Sequence, residues 1–93
     1  MVIKLNLVVK SEKQYNKVIA KLEELGAQRF FITGYDESTV GINDYGVGCF
    51  IEPDRFHFTD GISSPCSVWE NFYTVKSFIA AVKAAKAALG ESE

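Results

Sequence analysis

Residues 46–60, GVGCFIEPDRFHFTD, contain two short apolar runs joined by the turn sequence EPDR at residues 52–55. Proline presets φ for the second position of a type I turn and aspartate suits the third, so the stretch predicts a β-hairpin with Ile51 opposite Phe56. Directly opposed residues share one face of a sheet. The residues predicted to face the core together are Val47, Cys49, Ile51, Phe56 and Phe58.

The opposite face of this hairpin is predicted to be mixed in character. It carries Phe50 opposite His57, and Glu52 opposite Arg55. Because one face is wholly apolar, the register predicts that this second face is in contact with solvent or is covered by something other than the core.

The segments before the hairpin predict a strand, a helix and a second strand. Residues 2–10 alternate apolar and polar side chains with the period of a half-buried strand. The sequence SEKQ at residues 11–14 fits a capping box that starts a helix, and Gly26 supplies the left-handed position that ends it. A second strand is predicted at residues 28–33.

The segments around and after the hairpin are turn-rich until a final helix. Residues 39–42 are predicted to hold at most a short strand, and residues 68–73 a short extended segment. Thr74 is the preferred N-cap of the last helix, which Gly90 is predicted to end. A capping box at residues 67–70 would start this helix earlier, and the sequence leaves that alternative open.

Length and composition predict one α+β domain over residues 1–93. We expect a two-layer sandwich in the order βαβββα, with a mostly antiparallel sheet of about four strands and two helices on one face. Lys4, Asn6 and Lys10 interrupt the apolar start, and no apolar run approaches the roughly 20 residues of a membrane helix. A cytoplasmic location is therefore predicted, with no membrane partner and with both cysteines reduced.

The charge distribution is uneven although the net charge is −2. Residues 34–70 hold seven carboxylates against Arg55 alone, and such like charges repel one another. This acidic block is predicted to be a recognition surface for a basic partner. The lysines of the first helix, Lys13, Lys17 and Lys21, are predicted to be a solvated face, with no direct nucleic-acid contact, because the domain as a whole is acidic.

No catalytic residue, metal site or cofactor is predicted. His57 is the only histidine, and no Ser-His-Asp or Cys-His pattern surrounds it. The predicted register points Cys49 and His57 to opposite faces, and the chain has no Cys-x-x-Cys pair for a zinc site. The sequence therefore favours a non-enzymatic protein.

The stretch SEKQYNKVIAKLEELGAQRFFITGY, residues 11–35, follows a first strand and precedes an acidic hairpin and the helix start TVKSF at residues 74–78. In these segments and their order, the chain resembles small accessory proteins encoded by tailed bacteriophages. The resemblance implies a non-enzymatic protein that acts on a host or defence component in the host cytoplasm, and it supplies no functional residue.

Three functions are weighed on these observations. The favoured one is an inhibitor or adaptor that binds a basic host or defence protein through an acidic face resembling DNA. The alternatives are a nucleotide-sequestering protein, whose ligand would be enclosed by Tyr45, Trp69, Tyr73 and the loop glycines, and a small enzyme. The residues predicted to bind the partner are Asp36, Glu37, Asp44, Tyr45, Phe50, Glu52, Asp54, His57, Trp69 and Glu70, with Tyr45 and Trp69 as aromatic anchors.

The chain is also predicted to form a homodimer. Phe50, Trp69, Phe72 and Tyr73 are more large apolar side chains than two helices on one face can cover. An exposed patch of that kind usually marks an interface.

Overall fold

The computed structural model describes residues 2–32, 34–35, 44–64 and 67–91. The predicted strand at residues 39–42 lies outside these ranges, as does Cys66. The described elements are β1 (Ile3–Val9), α1 (Glu12–Glu24), β2 (Gln28–Phe31), β3 (Asp44–Ile51), β4 (Phe56–Ser64), β5 (Glu70–Phe72) and α2 (Val75–Glu91).

The strands form one mixed sheet in the order β2-β4-β3-β1-β5. β3 is antiparallel to both β1 and β4, whereas β2 runs parallel to β4 and β5 runs parallel to β1. The predicted α+β fold is confirmed, but the expectation of about four mostly antiparallel strands is corrected to five strands with two parallel pairs. Helix α1 is a crossover connection, after which β2 runs in the same direction as β1. The local sequence does not indicate which distant strand β2 pairs with.

The hairpin has the predicted register, with Ile51 opposite Phe56 and Phe50 opposite His57. The backbone amide of Glu52 closes the turn by donating to the carbonyl of Arg55 at 2.8 Å. Of the predicted core set, Val47, Cys49, Ile51 and Phe58 are buried. Phe56 is only half-buried, because it lies next to the turn at the end of the sheet.

Both ends of α1 are capped by the residues that the sequence indicates. Ser11 accepts a hydrogen bond from the Gln14 amide at 3.2 Å, and the Gln14 side chain accepts one from the Lys10 amide at 3.0 Å. At the other end Gly26 has a φ of 95°, and the Ala27 amide donates to the Leu22 carbonyl at 2.9 Å. This is the Schellman arrangement, which places the chain for its entry into β2.

Helix α2 begins after Thr74, as preferred, and not at the earlier capping box. Thr74 Oγ1 accepts a hydrogen bond from the Ser77 amide at 3.2 Å. The prediction that Gly90 ends the helix is wrong, because α2 continues to Glu91. A glycine within a helix costs about 1 kcal/mol relative to alanine, which is not enough to stop a helix by itself.

The core lies between one face of the sheet and both helices. β1 contributes Leu5, Leu7 and Val9, which are paired with Cys49, Val47 and Tyr45 of β3. The helices cover this face with a fully buried row of side chains. That row consists of Val18, Leu22, Phe78 and Val82.

One carboxylate of β4 lies inside this core, next to a β-bulge. Gly46 pairs with Ile62 and Val47 with Asp60, so Gly61 is left over, and it has a φ of 81° that suits glycine. Asp60 precedes this bulge: it lies two residues after Phe58 and opposite Val47, so it faces the helices, and it is 5% exposed. Sequence analysis counted Asp60 in the acidic block, but it is not part of the protein surface.

Candidate protein-binding surface

Four rings form a continuous row on the sheet face opposite the helices. The ring centroids of Phe30 and His57 are 5.2 Å apart, those of His57 and Phe50 are 4.7 Å apart, and those of Phe50 and Trp69 are 4.8 Å apart. His57 stacks on Phe50, with 22° between the ring planes, and the other two contacts are edge-to-face. We refer to Phe30, His57, Phe50 and Trp69 as the aromatic strip.

The strand order explains why residues so distant in sequence meet here. Phe50 and His57 are register partners on β3 and β4, and Phe30 joins from a register irregularity in β2. Trp69 comes immediately before β5, which pairs with β1. The strip therefore joins residues of β2, β4 and β3 to the residue that precedes β5.

The strip is accessible to a partner. Phe30 is 62% exposed, and the neighbouring Val68 is 73% exposed. Phe50, His57 and Trp69 are half-buried against one another. The strip occupies only one end of this face, since Asn6 and Val8 of β1, which also point away from the helices, are buried.

Charges of both signs surround the strip. Lys4 is the register partner of Phe50 on β1, and it is exposed. The hairpin turn, residues 52–55, lies beside Phe50 and His57. In this turn Glu52 is half-buried, and Asp54 and Arg55 are exposed. A cleft of about 360 Å³ runs from the turn to the strip, and its lining includes Asp54, Arg55, Phe30 and His57.

The structure brings together only part of the predicted binding set. Phe50, His57 and Trp69 are in the strip, and Glu52 and Asp54 are at its hairpin end. Glu70 is exposed on the edge strand β5, on the helix side, because its register partner is Leu5. Asp44 is the first residue of β3. Asp36 and Glu37 lie outside the described residues.

Tyr45 does not fit its predicted role as an exposed anchor. It is 5% exposed, and its ring packs edge-on to Tyr15 and Tyr35 at centroid distances of 5.9 and 5.5 Å. Its hydroxyl donates to the carbonyl of Gly34. Because Tyr45 faces the helices and Trp69 the opposite side, these two residues do not enclose a common ligand. The alternation of β3 puts Tyr45 on the same face as Val47, a signal that sequence analysis did not use.

Phe72 also differs from its predicted exposed role. Its ring contacts Phe78 in the core, with centroids 6.1 Å apart. Tyr73 is 60% exposed, but it lies beside the N-terminal ends of the helices rather than on the strip. The four aromatic residues of the predicted dimer patch therefore do not form one surface.

The chemistry available at the strip is contact and stacking. His57 is surrounded by aromatic rings, and Cys49 is buried on the other face of the sheet, as the register predicts. Burial raises the pKa of the Cys49 thiol to about 12, which keeps it protonated and a poor nucleophile. Within the described ranges, no group of three or more His, Cys, Asp or Glu side chains is placed to hold a metal ion.

Two functional features were missed by sequence analysis. Phe30 was assigned only to a strand, because its contact with His57 depends on the parallel pairing of β2 with β4, which has no local signal. Asp60 was treated as a surface charge. The alternation of β4 puts Asp60 on the same face as Phe58, a signal that the sequence contains.

Comparison with protein-family models, curated proteins and solved structures finds no match to this chain. In the part of the chain that the structure describes, neither helix is long and apolar enough to cross a membrane.

Proposed function

We propose that this protein is a non-enzymatic binding protein that docks another protein on its aromatic strip. The observation that supports this most directly is the unbroken row of ring contacts from Phe30 to Trp69, on the sheet face that the helices leave uncovered. Rings on this side add little to the protein's own core. Aromatic residues are enriched at the centres of protein interfaces, where they supply much of the binding energy.

The proposed partner presents apolar side chains to the strip and basic side chains to its rim. Glu52 and Asp54 lie at the hairpin end of the strip, and their neighbour Arg55 is the only basic residue in residues 34–70. Complementary charges at a rim speed association more than they increase affinity. The resemblance to phage accessory proteins leads us to propose a host or defence protein, inhibited or modulated by this contact.

A protein partner is favoured over single-stranded nucleic acid. Proteins that stack bases on aromatic rings also provide a positively charged groove for the phosphates. Here Lys4 and Arg55 are offset by Glu52 and Asp54, and the chain has a net charge of −2. The strip therefore offers stacking without the electrostatic attraction that nucleic acids require.

The proposal is tested by immobilising the full chain and capturing proteins from a bacterial extract. Phe30→Asp is the informative variant, because Phe30 is exposed and the change should leave the fold intact. Ala84→Asp is the matched control, since it adds the same charge at an exposed position of α2 away from the strip. Quantitative mass spectrometry identifies the proteins that each bait retains.

We expect a protein that the wild type and Ala84→Asp retain and that Phe30→Asp loses. Titration of that purified protein should give an affinity weakened about tenfold or more by Phe30→Asp. Equal retention by both variants would show that the strip is not the contact surface. A thermal-shift screen with nucleotides tests the alternative of ligand sequestration, because a ligand that binds the folded state raises its apparent stability.

A further inference from the structure

A groove between the two helices, on the side of the molecule away from the aromatic strip, has an apolar floor and a basic rim. Its volume is about 510 Å³, and the floor includes Leu25, Val75, Ile79 and Ala80. The charged residues that line it are Lys17, Lys21 and Glu24 from α1, and Lys76 and Lys83 from α2.

The groove continues toward the N-terminal ends of both helices. A second depression of about 390 Å³ shares Lys17, Val75 and Lys76 with the first. It adds Lys13 and the exposed ring of Tyr73. Together the two depressions extend along α1 from residue 11 to residue 25, about 20 Å at the helical rise per residue.

The positive charge of this groove is largely uncompensated. Lys21 lies 3.8 Å from Glu24, an exposed pair that contributes little. Within the described residues, Lys13, Lys17, Lys76 and Lys83 have no ion-pair partner. Five lysines against one glutamate make this the basic side of a protein whose net charge is −2. The lysines of α1, which the sequence predicts to be merely solvated, here face those of α2.

We propose that the groove binds an acidic amphipathic helix of another protein. A helix of about three to four turns matches a groove of about 20 Å. Its apolar stripe would lie on Leu25, Val75 and Ile79, in the manner of other helix-in-groove complexes, while its carboxylates would meet the lysines on both rims. The concave apolar floor favours such a helix over a flat membrane surface or a duplex, which would contact only the rim.

This surface is separate from the aromatic strip, so the result of a test of one proposal does not decide the other. The protein would thereby hold two partners at once, one on each layer of the sandwich.

The test uses the full chain and a fluorescent peptide of about 14 residues, composed of leucine and glutamate with leucines at helical spacing. The informative variants are the double reversal Lys17→Glu/Lys83→Glu and the groove-filling change Ala80→Trp. The matched control is Lys4→Glu/Arg55→Glu, which changes the net charge equally on the sheet side. Circular dichroism and thermal unfolding confirm that each variant is folded.

We expect the double reversal and Ala80→Trp each to weaken binding about tenfold or more, while the control binds as the wild type does. A peptide of the same composition with its leucines scrambled should bind at least about tenfold more weakly. Equal binding of the scrambled peptide would overturn the proposal, because charge alone would then explain the interaction. Binding of duplex DNA or of anionic vesicles at these lysines, with no binding of the peptide, would also overturn it.

Discussion

Tyr15 of α1 and Asp60 of β4, which are 45 residues apart in sequence, meet inside the core, with 2.7 Å between the tyrosine hydroxyl and the carboxylate. The same carboxylate oxygen accepts a hydrogen bond from the amide of Gly34 at 3.0 Å. One buried side chain thus joins the helix layer, the sheet and the segment that follows β2.

Removal of this carboxylate should be costly. We expect Asp60→Ala to lower the free energy of unfolding by about 3 kcal/mol, because the Tyr15 hydroxyl and the Gly34 amide lose their acceptor. Tyr15→Phe should cost about 1 to 2 kcal/mol. Glu24→Ala, at an exposed carboxylate of α1, is the control and should change the free energy of unfolding by less than about 0.5 kcal/mol. Urea denaturation measures all three, and equal effects of Asp60→Ala and Glu24→Ala would contradict the buried role.

Alkaline pH should destabilise the fold through Cys49 and Tyr15. Burial raises the pKa of Cys49 from 9.0 to about 12, and burial followed by the Asp60 hydrogen bond raises the pKa of Tyr15 above 10.0. The folded state therefore keeps protons that the unfolded state releases. For Cys49 the stabilisation is complete below about pH 9 and is lost as the pH rises toward about 12.

The measurement is urea denaturation at about pH 7 and about pH 10.5, where the Cys49 contribution should have fallen by about 2 kcal/mol. Cys49→Ala should show a correspondingly smaller loss between the two pH values, because it has no thiol to ionise. If wild type and variant lose the same stability, the thiol does not contribute.

The two faces of the hairpin should respond differently to truncation. Phe58 is fully buried, so Phe58→Ala should cost about 3 to 5 kcal/mol. Phe50→Ala, on the strip, should cost clearly less, and so should Phe56→Ala because Phe56 is only half-buried. A larger loss of stability for Phe50→Ala than for Phe58→Ala in chemical denaturation would mean that Phe50, and not Phe58, lies on the core face of the hairpin.

Self-association through the strip is expected for the isolated protein. Exposed apolar surface of this kind tends to be covered by a second copy when no other partner is present. Sedimentation at micromolar concentration should show a dimer for the wild type and Ala84→Asp, and a monomer for Phe30→Asp. A wild-type monomer would leave the strip to a heterologous partner alone.

The acidic rim should affect the rate of partner binding. Once a partner is identified, Glu52→Lys/Asp54→Lys should slow its association at low salt, and the difference from wild type should shrink as salt screens the charges. The same double change at Glu12 and Glu24 of α1, which are exposed and away from the strip, is the control. Unchanged rates and salt dependence would indicate that Glu52 and Asp54 are only solvated.

The local features of this fold could be predicted because their signals lie within a few residues. The sequence EPDR fixes the hairpin register, Ser11 and Gly26 mark the ends of α1, and Thr74 marks the start of α2. Ser11 and Thr74 each accept a hydrogen bond from a backbone amide in the first turn of a helix, and Gly26 adopts the positive φ at the end of α1. At these positions the residue type therefore indicates the local geometry.

The non-local features could not be predicted. The pairings of β2 with β4 and of β5 with β1 join strands that are distant in sequence. The alternation along a strand indicates which face is buried, but it does not indicate which strand lies beside it. Phe30 therefore could not be connected to His57, nor Trp69 to Phe50. The inward position of Asp60, by contrast, follows from its alternation with Phe58 on β4 and could have been predicted from the hairpin register.

The position of β1 in the sheet constrains how the chain can fold during synthesis. β1 is made first, yet its two neighbours are β3 and β5, and the pairing with β5 joins residues more than 60 positions apart, such as Leu5 and Glu70. A growing chain cannot complete the sheet until β5, residues 70–72, has left the ribosome. Such distant pairings also slow folding, because long loops must close before their contacts form. Until β3 has been made, the apolar side chains of β1 have no strand to pair with and can be bound by chaperones.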